Sequence, residues 1–145
     1  MRVLVTGGAG RLGVTVCKML QKKGFQVRVF DLPSPRNRKS VKELGRKAEV
    51  SWEDITSADS VRQAVDGVEA VIHMAGILPP MTEANPGLAA KVNVGGTKTL
   101  VDAIRATGKR IPLVFTSSVA VFGPTPATTE PVSVERNAPN PKDVY

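Results

Sequence analysis

The segment TGGAGRLG, Thr6 to Gly13, follows directly on the apolar run Val3 to Val5 and gathers residues suited to holding phosphate. A strand that breaks into glycines and resumes as a helix turns backbone N–H groups toward one point at the helix N-terminus, where negative charge is favoured. Gly7 is expected to permit the tight turn, Gly10 to let the backbone reach the phosphates with no Cβ between, and Gly13 to let the helix pack closely on the sheet. Arg11 and Leu12 lie between the last two glycines and are counted with the same binding group. Asp31 stands 18 residues after Gly13, at the end of a second β-rich stretch, Gln26 to Phe30. A carboxylate at that distance accepts hydrogen bonds from the hydroxyls of an adenosine ribose. A glycine turn alone commonly just joins a strand to a helix. The ordered set of strand, glycine turn, helix, strand and acid points to a dinucleotide.

Ser118 carries the other chemistry. It follows the fifth apolar stretch, on the same rim as the glycine turn, where its hydroxyl could hydrogen-bond a substrate oxygen that gains or loses a proton. Thr116, at the end of that stretch, is counted with the cofactor-binding residues. Ala75 and Gly76 matter through smallness, since the chain there must let a cofactor lie against the backbone. His73 reads as a buried strand-end residue, because a metal site or a triad needs partners that this chain lacks.

Elements that could position these residues alternate along the chain. Strands are expected at Arg2 to Thr6, Gln26 to Asp31, Ala48 to Trp52, Ala70 to Met74 and Pro112 to Thr116. Helices are expected at Gly10 to Lys23, Ser40 to Gly45, Ala58 to Val65 and Pro86 to Thr107. In the first helix the apolar set is Leu12, Val16, Met19 and Leu20. This alternation implies an α/β protein with a doubly wound, Rossmann-like parallel sheet of strand order 3-2-1-4-5, its ligand at the carboxyl ends of the first and fourth strands. Residues 1–123 are read as an NAD(P)-binding domain and 124–145 as a Pro-rich loop that could act as a substrate lid.

Composition bounds the rest. With 145 residues and 41% hydrophobic content, the chain can bury a core. It has neither a signal-peptide pattern at its start nor an apolar run of the ~20 residues a membrane span needs, so a cytoplasmic protein with no membrane partner is expected. The single Cys17 excludes an internal disulfide and a cysteine metal cluster, and no metal is expected. The net charge is +7, yet the basic residues are dispersed and aromatics are few, which argues against a nucleic-acid partner. One local cluster, Arg36, Arg38, Lys39, Lys42, Arg46 and Lys47, is either a solvated face or an attraction for phosphate near the adenosine ribose.

Several segments together resemble the extended short-chain dehydrogenase/reductase family, the nucleotide-sugar epimerases, dehydratases and their relatives. TGGAGRLG is similar to that family's TGxxGxxG loop, HMAG at His73 to Gly76 to its HxAG segment, NVGGTKTL at Asn93 to Leu100 to its NxxGTxxL helix, and TSSVAVFG at Thr116 to Gly123 to its SSxxVYG motif, with Phe122 in place of tyrosine. The resemblance implies that Asp31 is the ribose acid and that Asp54 and Ile55 flank adenine. Asp54 would accept from the amino group and Ile55 would cover the ring face, although the pair could merely open a turn. Asn93 costs helix propensity, as do Gly95 and Gly96 at roughly 1 kcal/mol each, so something else selects them. The family's reading of Asn93 is a polar contact toward the active centre. Ser118 resembles the catalytic serine, and Tyr145, 27 residues later, the tyrosine of a YxxxK pair whose lysine would fall beyond the sequence.

The implied chemistry is oxidation of a carbinol carbon by hydride transfer to NAD, with Ser118 and Tyr145 handling the proton. Asp31 should repel a 2′-phosphate, so NAD is expected over NADP. A small molecule or nucleotide sugar would be the substrate of the parent protein. The chain itself is expected to be its cofactor-binding portion, lacking the C-terminal strands and substrate region and with at most vestigial catalysis. A non-catalytic dinucleotide-binding or sensing domain is the alternative. An exposed fifth strand and an unpartnered long helix would make it self-associate.

Overall fold

The computed structural model describes residues 1–123 and 138–141. Tyr145 and most of the Pro-rich segment lie outside these residues. Five parallel strands, β1 (Arg2–Thr6), β2 (Gln26–Asp31), β3 (Ala48–Trp52), β4 (Ala70–His73) and β5 (Leu113–Phe115), form one sheet in the order β3-β2-β1-β4-β5. The register sets Thr6 beside Phe30 and His73, and Asp31 beside Trp52. The carboxyl ends of the strands therefore form one rim that carries the residues singled out from the sequence.

Helices cover both faces of the sheet. On one face Leu4, Phe30 and Val71 pack with Val61, Ala64 and Val65 of α3 (Ala58–Val65) and with Leu100, Ala103 and Ile104 of α6 (Thr97–Ala106). On the other, Val3, Val5, Val27 and Val29 pack with Val14 and Cys17 of α1 (Arg11–Lys22) and with Leu44. Strands buried on both faces read as near-continuous apolar runs, as β1 does. Arg28 is the exception in β2. Its guanidinium donates to the carbonyls of Ala64 and Asp66, both at 2.7 Å, and its Nε lies 3.0 Å from Glu49 Oε1. The cation thus satisfies carbonyls at the C-terminus of α3, which have no partner within the helix.

The expected elements hold with three differences. Helix α2 (Pro35–Ser40) begins earlier than the expected Ser40 to Gly45 stretch and runs on into a 3₁₀ segment, Val41–Lys47. Ser34 caps α2 by accepting the Asn37 N–H at 3.0 Å, and Pro35 opens its first turn. The stretch from Pro86 is not one uniform α-helix. After the short α4 (Met81–Ala84) come α5 (Pro86–Ala89), a π segment at Ala90–Gly96, and then α6. The third difference is the face that α1 buries. Leu12 and Met19 are 61% and 56% exposed, whereas Leu20 packs against the core and Gly13, Val14 and Cys17 are buried. Among the described residues no helix is long and apolar enough to cross a membrane.

Candidate functional site

Each glycine of the first loop meets a different neighbour. Gly7 has φ +69° and donates its N–H to Phe30 O at 2.9 Å; a Cβ there would lie 2.8 Å from the backbone of Met74 and Ala75. The loop therefore rests on the end of β4. At Gly13 a Cβ would come 2.2 Å from Gly7 O, so this glycine lets α1 pack against the loop itself and not, as expected, against the sheet. Gly8, which the glycine spacing leaves without a task, would place a Cβ 2.8 Å from Val5 O. Gly10 differs: among the described residues, Gly7 O at 3.1 Å is the one atom its Cβ would meet. Gly10 is also the N-cap of α1, which has no side-chain cap and no acid in its first turn, and Arg11 and Leu12 beside it are exposed. The open approach, the free helix N-terminus and the cation suit a pyrophosphate. Cys17 lies beneath, its thiol pushed up to about 12 by burial, as a small residue of the helix core.

Asp31 joins this loop to β2. Its Oδ2 accepts the Ala9 N–H at 3.0 Å, and its Oδ1 accepts from Leu32 N at 2.8 Å and from Asn37 Nδ2 at 3.1 Å. Burial raises the carboxyl above the ordinary 3.8, and backbone donors partly offset this. Each carboxylate oxygen accepts two hydrogen bonds, so Oδ2 retains capacity for a ribose hydroxyl. Trp52, paired in register with Asp31, lies on the same sheet face, and the Arg38 guanidinium stacks 5.1 Å from its ring centroid. Neither Trp52 nor Asn37 was singled out from the sequence. The position of Trp52 at the end of β3, level with Asp31, was the available signal.

Asp54 is exposed, and its Oδ1 accepts from Thr56 N at 2.8 Å and Thr56 Oγ1 at 2.9 Å. This pairing opens the turn before α3 and leaves Oδ2 without a hydrogen bond among the described residues. Ile55 is 6% exposed, packed in the core against Gly96, where a Cβ would approach Ile55 Cγ2 to 2.7 Å. Its side chain fills the sheet-to-helix contact in place of the expected cover over a ring, and this close packing accounts for a glycine at position 96.

At the ends of β4 and β5 the polar groups interlock. His73 is buried, with Nδ1 2.5 Å from Thr6 Oγ1 and Nε2 2.9 Å from Thr97 Oγ1, and burial lowers its pKa from the ordinary 6.5. Asn93 accepts from Ile77 N at 2.7 Å and donates to Ile77 O at 3.0 Å, so its amide clamps the backbone next to Gly76. A Cβ on Gly76 would lie 3.2 Å from Asn93 Oδ1. Thr116 reaches His73 O with its N–H at 3.2 Å and its hydroxyl at 3.3 Å. Ser118 Oγ accepts the Ala120 N–H at 3.2 Å. The rim thus brings together Gly7, Gly10, Gly13, Asp31, Ala75, Gly76, Asn93 and Thr116, with Ser118 at the adjoining turn. Tyr145 lies outside the described residues.

The sequence profile of the 3-beta hydroxysteroid dehydrogenase/isomerase family matches residues 4–145. The chain is 39% identical over 124 residues to 3 beta-hydroxysteroid dehydrogenase type 7 of Rattus norvegicus, covering 83% of this chain and 36% of that protein. It superposes with TM-score 0.89 and 30% identity on the UDP-glucose 4-epimerase of Thermus thermophilus in complex with NAD, covering 100% of this chain and 46% of the other. A short-chain dehydrogenase/reductase superfamily protein from Agrobacterium tumefaciens with bound NAD gives 0.79 and 32%, covering 100% and 40%. The chain therefore spans less than half the length of these relatives. Its motifs, its strand order and the family match agree, and the chain belongs to the 3-beta hydroxysteroid dehydrogenase/isomerase family.

Proposed function

We propose that this chain binds NAD along the rim formed by β1, β2 and β4, as the cofactor-binding part of a longer enzyme that oxidises a carbinol carbon. The observation that carries the reading is the junction of Asp31 Oδ2 with Ala9 N, a hydrogen bond that ties the acid at the end of β2 to the glycine loop. NAD would supply the hydride acceptor. The open backbone at Gly10, the free N-terminus of α1 and Arg11 would hold the pyrophosphate, Asp31 the ribose, and Asp54 Oδ2 the adenine amino group. Ala75 and Gly76 would give the cofactor a flat backbone wall.

Ser118 accepts a hydrogen bond from Ala120 N, and among the described residues its own proton has no acceptor, so it could be donated to a substrate oxygen. Tyr145 would be the acid/base. A free tyrosine has a pKa of about 10, so it needs a neighbouring cation to act as a base at neutral pH, and the family's YxxxK lysine would provide one. The family match favours a hydroxysteroid-like secondary alcohol over a nucleotide sugar. Exposed Val119, next to Ser118, and Leu78 and Met81, after β4, favour an apolar substrate too. In the longer protein, reduction of NAD driven by a 3β-hydroxysteroid and weakened at least 100-fold by Ser118→Ala supports this reading. Turnover of UDP-glucose with none of the steroid would overturn the substrate class.

A further inference from the structure

Beneath the rim, the direction of one hydrogen-bond chain is set by atoms that have no choice. The Asn93 carbonyl carries no proton, so the Thr97 hydroxyl, 2.5 Å away, donates to it. A hydroxyl has one hydrogen, hence Thr97 Oγ1 accepts from His73 Nε2 at 2.9 Å. From the other end, Thr6 Oγ1 accepts the Ala75 N–H at 3.2 Å and shares the Met74 N–H, also at 3.2 Å, with the Thr6 carbonyl at 3.1 Å. In a neutral ring with its proton on Nε2, Nδ1 is bare, so the Thr6 hydroxyl, 2.5 Å away, donates to it.

We propose that His73 is a positioning residue, and that the one-way chain Thr6–His73–Thr97–Asn93 sets Ala75, Gly76 and Ile77 against the glycine loop. The proposal rests on the dinucleotide reading of that rim. Thr6 holds the Ala75 end of the segment through the Ala75 N–H, and Asn93 holds Ile77 by both backbone groups. Thr6 leads directly into Gly7, so the chain couples the two walls between which the pyrophosphate and nicotinamide half of the cofactor would pass. The His73 carbonyl accepts from Thr116, and its ring lies 5.6 Å from that of Phe115, which ties in the strand leading to Ser118. Imidazole fits because its rigid ring offers an acceptor and a donor on separate edges. Asn can supply an acceptor near the Nδ1 position and Gln a donor near Nε2, each meeting half of the requirement.

His73 is the sole histidine, so ¹⁵N NMR of the labelled chain reads its ring without ambiguity. At neutral pH the spectrum should show a bare Nδ1 and a protonated Nε2; a proton on Nδ1 overturns the relay while leaving the dinucleotide reading intact. Calorimetry with NAD and with 5′-AMP then tests the role. Thr97→Val should weaken NAD roughly fivefold, the worth of one hydrogen bond, leave 5′-AMP unchanged, and be rescued by Thr97→Ser. Equal loss of both ligands, or no rescue by serine, overturns the positioning role. If the unsubstituted chain fails to bind NAD, the dinucleotide reading falls and the cofactor role of His73 falls with it.

Discussion

Oδ2 of Asp31 accepts the backbone N–H of Ala9 at 3.0 Å, so the acid at the end of β2 is tied directly to the glycine loop. An acid at the tip of β2 could otherwise swing freely in solvent. Here three donors hold it, two from the backbone and one from Asn37, in a partly buried place. A carboxylate ordered before the ligand arrives loses less entropy on binding.

Gly10 and Gly13 separate binding from folding. Gly13→Ala forces a Cβ to 2.2 Å from Gly7 O and should destabilise the chain by about 1–3 kcal/mol, as overpacking does. Gly10→Ala meets one atom at 3.1 Å and otherwise open space, so its urea midpoint should stay near that of the parent while NAD affinity falls. Urea unfolding and NAD titration of both variants check this, and equal instability of the two would contradict it.

Much of this was legible beforehand, for identifiable reasons. The bounds of β1, β2 and β3 follow from short apolar runs closed by Thr6–Gly7, Asp31 and the turn after Trp52, and the strand order follows from parallel crossovers. The buried face of α1 follows the apolar pattern only in part, through Leu20, and the close approach at Gly13, which has no side chain, is one that periodicity cannot register. The π segment at Ala90–Gly96 also leaves no trace in an apolar pattern, although Asn93 and the paired glycines marked the place as odd. The role of Ile55 depended on which side chain faced the core, and that was decided by Gly96, some forty residues away in sequence. Links such as Thr6 to His73 to Thr97 are tertiary and cannot be read from spacing.

Trp52 should report adenosine binding. It is the only tryptophan, it is level with Asp31, and Arg38 stacks on its ring. NAD and 5′-AMP should both change its fluorescence, whereas nicotinamide mononucleotide should not. A response to the mononucleotide alone would place the ligand in the reverse orientation.

Acid should destabilise the chain through His73. Burial lowers its pKa below 6.5, so between 6.5 and the lowered value the unfolded chain binds a proton that the folded chain does not. Stability from keeping the ring neutral is thus complete above 6.5 and is lost as pH falls through that window. Asp31, raised above 3.8, acts in the opposite sense on acidification, so the comparison with His73→Gln isolates the histidine. Urea midpoints should fall from pH 7.5 to 5 in the parent and less steeply in the variant; parallel profiles would contradict this.

The exposed strand β5 should promote association. Leu113, Val114 and Phe115 are 38%, 58% and 58% exposed, and among the described residues β5 pairs only with β4. An apolar edge strand is a template for pairing, and a lysine on it blocks the approach. Sedimentation should show concentration-dependent association that Val114→Lys reduces. A stable monomer at high concentration would contradict it.

This chain should bind NAD through the loop and acid joined at Ala9 and Asp31. Calorimetric titration with NAD and NADP, using the unsubstituted chain and Asp31→Ala, decides this. The predicted result is saturable, equimolar binding of NAD, tighter than NADP and weakened about tenfold or more in Asp31→Ala, as the loss of a charge-assisted hydrogen bond implies. No binding of NAD, or tighter binding of NADP that Asp31→Ala leaves unchanged, would contradict it.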